Sequence, residues 1–352
     1  MVSIDDFAKR WKIDAAPLES VAKRYPFVLS RYFEGLIQSS GDAVWKQVVP
    51  DTMEISDPSG FEDPLSEQRL SPVKNLVHRY PNRVLWLVSD RCAVHCRFCT
   101  RKRRWRSTGS PVSEDTSDLA PALDYIASHE QVQDVLLSGG DPLMLEPENL
   151  REILGRLRKI GHVQIIRIGS RVPCALPGLV TEELAGMLSQ FHPLFINVHF
   201  NHPMEITRES ERACALLVNA GIPLGSQTVL LRGINDSEAV LGELFHRLLR
   251  IRVRPYYLMQ MDLTAGTAHF RTPITAGLRI LRSLRNRISG PAMPHFVVDL
   301  PAGHGKMALL PNMVRELRDG RMIVRNYLGE LCRYPLLEGE EEELREFLVF
   351  SS

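Results

Sequence analysis

From residue 84 onward, short apolar runs alternate with longer amphipathic stretches. Runs that read as buried strands lie at Val84–Val88, Val135–Leu137, Gln164–Ile168, Leu194–Phe200, Ser226–Leu231 and Pro255–Met259. Leu119–Ala127, Leu150–Ile160, Glu182–Phe191, Glu209–Asn219, Ala239–Ile251 and Ala276–Arg287 carry apolar residues at helical spacing. After one longer first interval the strands recur about every 30 residues, the length of a strand-plus-helix unit. Six such units in series predict an α/β fold, a parallel sheet with helices outside it, as a partial barrel or a doubly wound sheet.

The flanks differ. The first 75 or so residues predict short helices: Ser3 with Asp6 suggests a capping box, and Leu18–Tyr25 and Arg31–Gln38 have helical spacing. Asp57–Ser71 reads as a loop, with prolines at 58 and 64 and another at 72. Beyond the sixth unit come a strand-like run, His295–Leu300, a Gly-rich turn, and Met307–Leu310. Met322–Tyr327 predicts a further strand, and Glu338–Glu346 a solvated acidic helix. The expected division is an N-terminal helical region (1–75), a barrel (76–330) and an acidic C-terminal tail (331–352).

Composition narrows the function classes. With 43 basic and 42 acidic residues the formal charge is +1, which gives no global reason to expect nucleic acid or an anionic membrane as partner. No apolar run reaches the roughly 18 residues of a transmembrane helix. Met1–Asp6 lacks the charged-then-apolar pattern of a signal peptide, so the expected location is cytoplasmic. Six cysteines stand at 92, 96, 99, 174, 214 and 332, three of them crowded together. That distribution is a poor disulfide framework and a good ligand cluster.

The crowded three, Cys92-Ala-Val-His-Cys96-Arg-Phe-Cys99, follow the first strand. Three thiolates on one loop suit three irons of a 4Fe–4S cluster and leave the fourth iron open to a small molecule. A zinc site that adds His95 is the alternative, but His95 adjoins Cys96, which makes joint tetrahedral ligation awkward. The spacing, with Phe98 before the last cysteine, resembles the radical S-adenosylmethionine (SAM) superfamily. That resemblance implies that SAM chelates the open iron. It also implies SAM contacts from Gly139, Gly140 and Asp141 after the second strand, from Ser170 and Arg171 after the third, from His199 after the fourth, and from Gln227 on the fifth.

Longer motifs are more specific. His78-Arg-Tyr-Pro-Asn-Arg83, the Cys92–Arg103 run, Val198-His-Phe-Asn-His-Pro203, Leu230-Leu-Arg-Gly-Ile-Asn-Asp236, Arg252-Val-Arg-Pro-Tyr-Tyr257 and Phe296-Val-Val-Asp-Leu-Pro301 resemble the lysine 2,3-aminomutase family. So do Ile168-Gly-Ser-Arg171 and Ala268-His-Phe-Arg-Thr-Pro273. The resemblance covers roughly residues 55–328 and implies a partial six-unit (β/α) barrel of the radical SAM type. It implies pyridoxal 5′-phosphate (PLP) as a further cofactor, linked to Lys306 as the catalytic amine, with Arg79, Tyr80 and Arg83 at its phosphate. Arg101 would grip the substrate carboxylate, and Asp262 and Asp299 would bracket the ε-ammonium of L-lysine. An electron donor such as flavodoxin or ferredoxin, and a possible homo-oligomer, are further expectations.

The sequence departs from the family in several places. The turn before Lys306, all glycine in the family, holds Ala302 and His304; Met259 stands for a tyrosine and Ser237 for a cysteine. Cysteines matching the zinc-binding C-terminal segment of longer members are absent, so no zinc is expected. Alternatives left open are a 2,3-aminomutase acting on another amino acid or serving elongation factor P modification, and a non-enzymatic Fe–S electron carrier. The basic run Arg101-Lys-Arg-Arg104-Trp-Arg106 could alternatively be a stripe for single-stranded nucleic acid.

Overall fold

The computed structural model describes residues 1–107, 119–326 and 328–347, without the side chains of 106, 107, 346 and 347. Five short helices come first: α1 (Ile4–Trp11), α2 (Ala16–Ala22), α3 (Arg31–Glu34), α4 (Ala43–Val48) and α5 (Met53–Ser56). Polar side chains start three of them. Ser3 Oγ accepts the Asp6 amide at 3.1 Å, Ser30 accepts that of Phe33, and Asp42 accepts those of Val44 and Trp45. These helices are not a separate body. Phe7, Leu18, Phe33 and Val48 belong to the same buried cluster as the strands that follow.

Nine strands form one sheet in chain order: β1 (Leu76–Tyr80), β2 (Arg83–Ser89), β3 (Asp134–Gly139), β4 (Ile165–Ser170), β5 (Leu194–His199), β6 (Leu224–Leu230), β7 (Val253–Gln260), β8 (His295–Leu300) and β9 (Gly305–Ala308). Strands β2 to β8 run parallel, while β1 and β9 pair antiparallel at the two edges. Helices cover the crossovers: α6 (Ala120–Ala127), α7 (Pro147–Arg158), the single turn α8 (Val172–Ala175), α9 (Glu182–Leu188), α10 (Arg208–Asn219), α11 (Glu238–Arg250) and α12 (Ile274–Leu284). In α7 the buried residues are Leu150, Ile153, Leu154 and Leu157, and in α11 Leu241, Leu244, Phe245 and Leu248. That i, i+3, i+4, i+7 stripe is what holds each helix to the sheet, at roughly 1.5–3 kcal/mol per large apolar side chain buried. Ser237 Oγ caps α11 by accepting the Val240 amide at 3.3 Å.

The two edges meet through side chains. The Lys306 amide of β9 donates to Tyr80 Oη of β1 at 2.8 Å, and Arg79 Nη1 lies 3.5 Å from Asp299 Oδ1. The sheet is therefore a nearly closed α/β barrel, one of the two arrangements the strand-and-helix rhythm allowed, with antiparallel edge strands added.

Residues 76–330 do not end the ordered structure. β10 (Val314–Arg318), β11 (Arg321–Arg325) and β12 (Leu331–Pro335) form a second, antiparallel sheet, and α13 (Glu340–Phe347) follows. The expected division at residue 330 falls between the hydrogen-bonded partners β11 and β12, so the tail begins as a strand. β12 is exposed throughout and only Leu317 of β10 is buried, so neither strand carries the apolar alternation that reveals strands. The strand expected at Met322–Tyr327 is β11; Tyr327 itself lies outside the described residues.

Candidate active site

The parallel strands end together at Ser89, Gly139, Ser170, His199, Leu230, Gln260 and Leu300. In such sheets the ligand site lies beyond the carboxyl ends of the strands. A cavity of about 780 Å³ opens there and inside the barrel. Its wall includes every residue given a cluster, cofactor or substrate role above: Cys92, Cys96 and Cys99; Gly139, Gly140, Asp141, Ser170, Arg171, His199 and Gln227; Arg79, Tyr80, Arg83 and Lys306; Arg101, Asp262 and Asp299.

The cysteine loop is pinned from below. His95 donates its backbone amide to Val28 O, bonds Pro26 O through Nδ1 at 2.8 Å, and stacks on Trp105 with centroids 4.2 Å apart. Burial pushes its pKa down to about 4. His95 therefore anchors the loop to the N-terminal region and is no companion ligand for the thiols. Among the described residues no three His, Cys, Asp or Glu side chains converge on a point as ligands of a single ion do. Thiols that each take a different iron of a cubane stand farther apart than that. Burial, then the charges of Asp141 and Cys99, hold the Cys92 thiol well above its usual range; burial and Cys96 push Cys99 up to about 11. A cationic iron cluster would remove this cost, since a coordinating thiol gives up its proton outright.

Beside the loop, Gly139 and Gly140 are required by the protein's own packing. A Cβ on Gly139 would lie 2.3 Å from Ser89 O, and one on Gly140 2.4 Å from Arg91 O. Gly139 also has φ +125°. The amides of Gly140 and Asp141 donate to Ser89 O and Arg91 O, so a ligand here meets acceptors rather than donors from these two residues. The Asp141 carboxylate is spent on structure: it accepts the amides of Leu143, Arg171 and Val172 at 3.0, 2.6 and 3.0 Å. Other buried atoms on the wall find no partner in the protein, namely Asn197 Nδ2, His199 Nε2, Gln260 Oε1, Arg79 Nε, Thr100 Oγ1 and Arg171 Nε. Buried polar atoms are nearly always satisfied, so a polar ligand fits this wall. Burial, then Arg171, pushes His199 down to about 3, which keeps its ring neutral.

At the other end of the cavity the Lys306 ammonium is bonded to Asp299, which also faces Arg79. Asp262 lies near both; burial, then the Asp299 charge, raises its pKa to about 6. Arg83 lies over the Tyr80 ring at 5.0 Å. Arg101 is already engaged: Glu67, 3% exposed, takes its Nε at 2.9 Å and its Nη2 at 2.7 Å.

Glu67 escaped the sequence reading because it sits in the Asp57–Ser71 loop, where no periodicity marks a buried acid. The same carboxylate takes Arg103 at 2.9 Å, Lys102 pairs with Glu54 at 2.6 Å, and Arg104 pairs with Asp90 at 2.9 Å. The described part of the basic run is thus turned onto acidic partners inside the protein, not laid out as a stripe. Glu54 also takes Arg97, 0% exposed, at 2.6 Å.

Comparison with known proteins agrees with this geometry. Residues 86–244 match the family model described as Radical SAM superfamily, and residues 281–344 match the one described as Lysine-2,3-aminomutase. The chain is 48% identical to the L-lysine 2,3-aminomutase of Acetoanaerobium sticklandii over 87% of its own length and 74% of that protein's. Against the L-lysine 2,3-aminomutase of Clostridium subterminale the identity is 47%, over 89% of this chain and 75% of the other. A glutamate 2,3-aminomutase from Clostridioides difficile is 38% identical over 90% of this chain and 75% of the other. At that identity and coverage the chain belongs to the lysine 2,3-aminomutase family of the radical SAM superfamily.

Proposed function

We propose that the protein is an isomerase that converts L-lysine to β-lysine by moving the amino group from C2 to C3, using a 4Fe–4S cluster, SAM and PLP. The observation that carries this reading is that the cysteine triplet, Lys306 and two carboxylates, Asp262 and Asp299, line one cavity. When bound, the cluster and SAM supply a hydrogen-abstracting radical, and PLP the conjugated system across which nitrogen migrates. An electron donor such as flavodoxin or ferredoxin would reduce the cluster.

The chain's own residues bind, orient and shield. Cys92, Cys96 and Cys99 would hold three irons and leave the fourth for SAM. Lys306, held through its backbone by Tyr80, would carry PLP, and Arg79, with Nε unmet by the protein, and Arg83 suit its phosphate. Arg101 receives the substrate carboxylate, oriented by Glu67.

Charge selects the substrate. In the free chain Asp299 is bonded to the Lys306 amine and lies 3.5 Å from Arg79, so a cofactor that drew Lys306 away would leave it facing Arg79 alone beside Asp262. Two neighbouring carboxylates in a dry pocket then need a cation between them. The lysine ε-ammonium supplies it. An acidic side chain would leave buried charge unpaired, at a cost of about 3–5 kcal/mol, which disfavours glutamate.

The test is anaerobic turnover by iron-reconstituted protein with SAM, PLP and dithionite, offering L-lysine, L-ornithine, L-arginine and L-glutamate separately. β-Lysine from lysine, absent when Lys306 is changed to Ala in a variant that keeps its iron, is the expected result. A β-product from glutamate and none from lysine would overturn the reading.

A further inference from the structure

Arg171, just past β4, reaches the cysteine loop from the side. Its Nη1 donates to Cys96 Sγ at 2.6 Å, and its Nη2 donates to Gln47 Oε1 at 2.7 Å and lies 3.4 Å from Glu205 Oε1. Gln47 comes from α4 in the N-terminal region. Its side-chain amide donates to Glu205 Oε1 at 2.5 Å, and its oxygen also accepts Asn201 Nδ2 at 2.8 Å. Glu205 Oε2 takes the Asn201 amide at 2.8 Å and the Cys174 thiol at 3.3 Å. Gln47, Asn201 and Glu205 are all 0% exposed. The guanidinium is also sandwiched near the rings of Phe33 and Phe98, 5.0 and 5.6 Å from their centroids. Four elements thus fix one cation against one ligand sulfur.

We propose that Arg171 is a positioning residue for the iron–sulfur cluster: its charge-assisted hydrogen bond to the Cys96 sulfur raises the cluster's reduction potential, and Gln47 and Glu205 hold it in place. The inference rests on the triplet holding a cluster. The reduced cluster carries one more electron than the oxidised one, and no bond to Arg171 forms or breaks when that electron arrives from the donor. A fixed N–H dipole and positive charge beside the sulfur therefore favour the reduced state. Glu205 opposes this charge from farther away, on the other nitrogen, while Cys96 meets the guanidinium directly. The arrangement gives the N-terminal helices a part in the chemistry, because Gln47 is the brace that keeps the fork on Cys96 while freeing its far side from solvent.

The experiment is a one-electron redox titration of reconstituted protein without SAM, followed by EPR, after iron content and absorbance have verified a 4Fe–4S cluster. Arg171→Met is expected to move the midpoint to more negative potential, so that the reduced-to-oxidised ratio at a fixed potential drops about tenfold, or ~59 mV for one electron. Gln47→Leu, which keeps Arg171 but removes its brace, is expected to shift the midpoint the same way by less. If Arg171→Met assembles no cluster, the Gln47→Leu titration decides alone. Midpoints equal to the parent's would overturn the proposal, and lowered SAM affinity with an unchanged midpoint would do so too, assigning Arg171 to the SAM carboxylate instead. A parent protein that binds no cluster would overturn the reading of the triplet itself, a result visible before any variant is titrated.

Discussion

Ala302 has φ 56° and ψ 22°, in the left-handed region that favours glycine, immediately before Gly303 at φ 77°. The turn that delivers Lys306 therefore keeps a glycine-type backbone although a methyl group stands in it. A single L-residue held there costs on the order of 1–2 kcal/mol, partly offset by the lower unfolded-state entropy of alanine. Ala302→Gly should accordingly raise stability by about 1 kcal/mol in denaturant unfolding; a decrease would show that the methyl makes contacts that outweigh the strain. Asp262 gives a pH prediction. Its pKa of about 6 lies above the ordinary carboxyl value, so below pH 6 it is largely neutral and a poor partner for an ammonium. Lysine kcat/KM should fall as pH drops through about 6, and Asp262→Asn should lose most lysine turnover at every pH while SAM cleavage without substrate persists. A wild-type profile flat from pH 5 to 7 would contradict the assignment. In the free chain the sign for stability is opposite. The native state holds this proton more tightly than the unfolded state, so this group's contribution declines as pH rises from about 4 to about 6. Lys306, the aspartates and the cysteines were legible because each sits in a distinctive motif. Glu67 and Gln47 were not, since their roles come from burial opposite an arginine far along the chain.

Among elements, the parallel strands were legible as short apolar runs, and the longer helices between them because each buries a face with period 3.6. The edge strand β1, with the polar half His78-Arg-Tyr80, and the exposed β10 and β12 lack that signature. The packing of α12 on β8 offers a test at this scale. Gly277 lies so close to Phe296 that a Cβ would come within 2.4 Å of the ring. Gly277→Ala gains helix propensity of roughly 1 kcal/mol but overpacks a buried contact, at a cost of about 1–3 kcal/mol. The variant should melt at lower temperature than the parent, with the strand carrying Asp299 displaced and KM for lysine raised. An unchanged melting temperature and KM would show that the helix shifts freely on the sheet.

At the scale of the whole molecule, the decisive fact is that the barrel nearly closes on itself. Tyr80 at one edge holds the Lys306 backbone at the other, and the N-terminal helices, sharing the barrel's core, brace the cysteine loop through Pro26, Val28 and Gln47. The order of strands was readable from a strand-plus-helix rhythm. The closure was not, because it depends on two short antiparallel strands and on contacts between residues 226 positions apart. Closure brings the cysteine triplet into one cavity with Lys306, Asp262 and Asp299, and the central claim is that a radical formed at the first acts on an amino acid held at the second. The most direct test uses L-lysine deuterated at C3, with SAM recovered after turnover. The account predicts deuterium in the adenosyl C5′ position of recovered SAM and at C2 of β-lysine. β-Lysine formed with no label in SAM would contradict it, because the hydrogen would then have left lysine by a route that bypasses the cluster's side of the cavity.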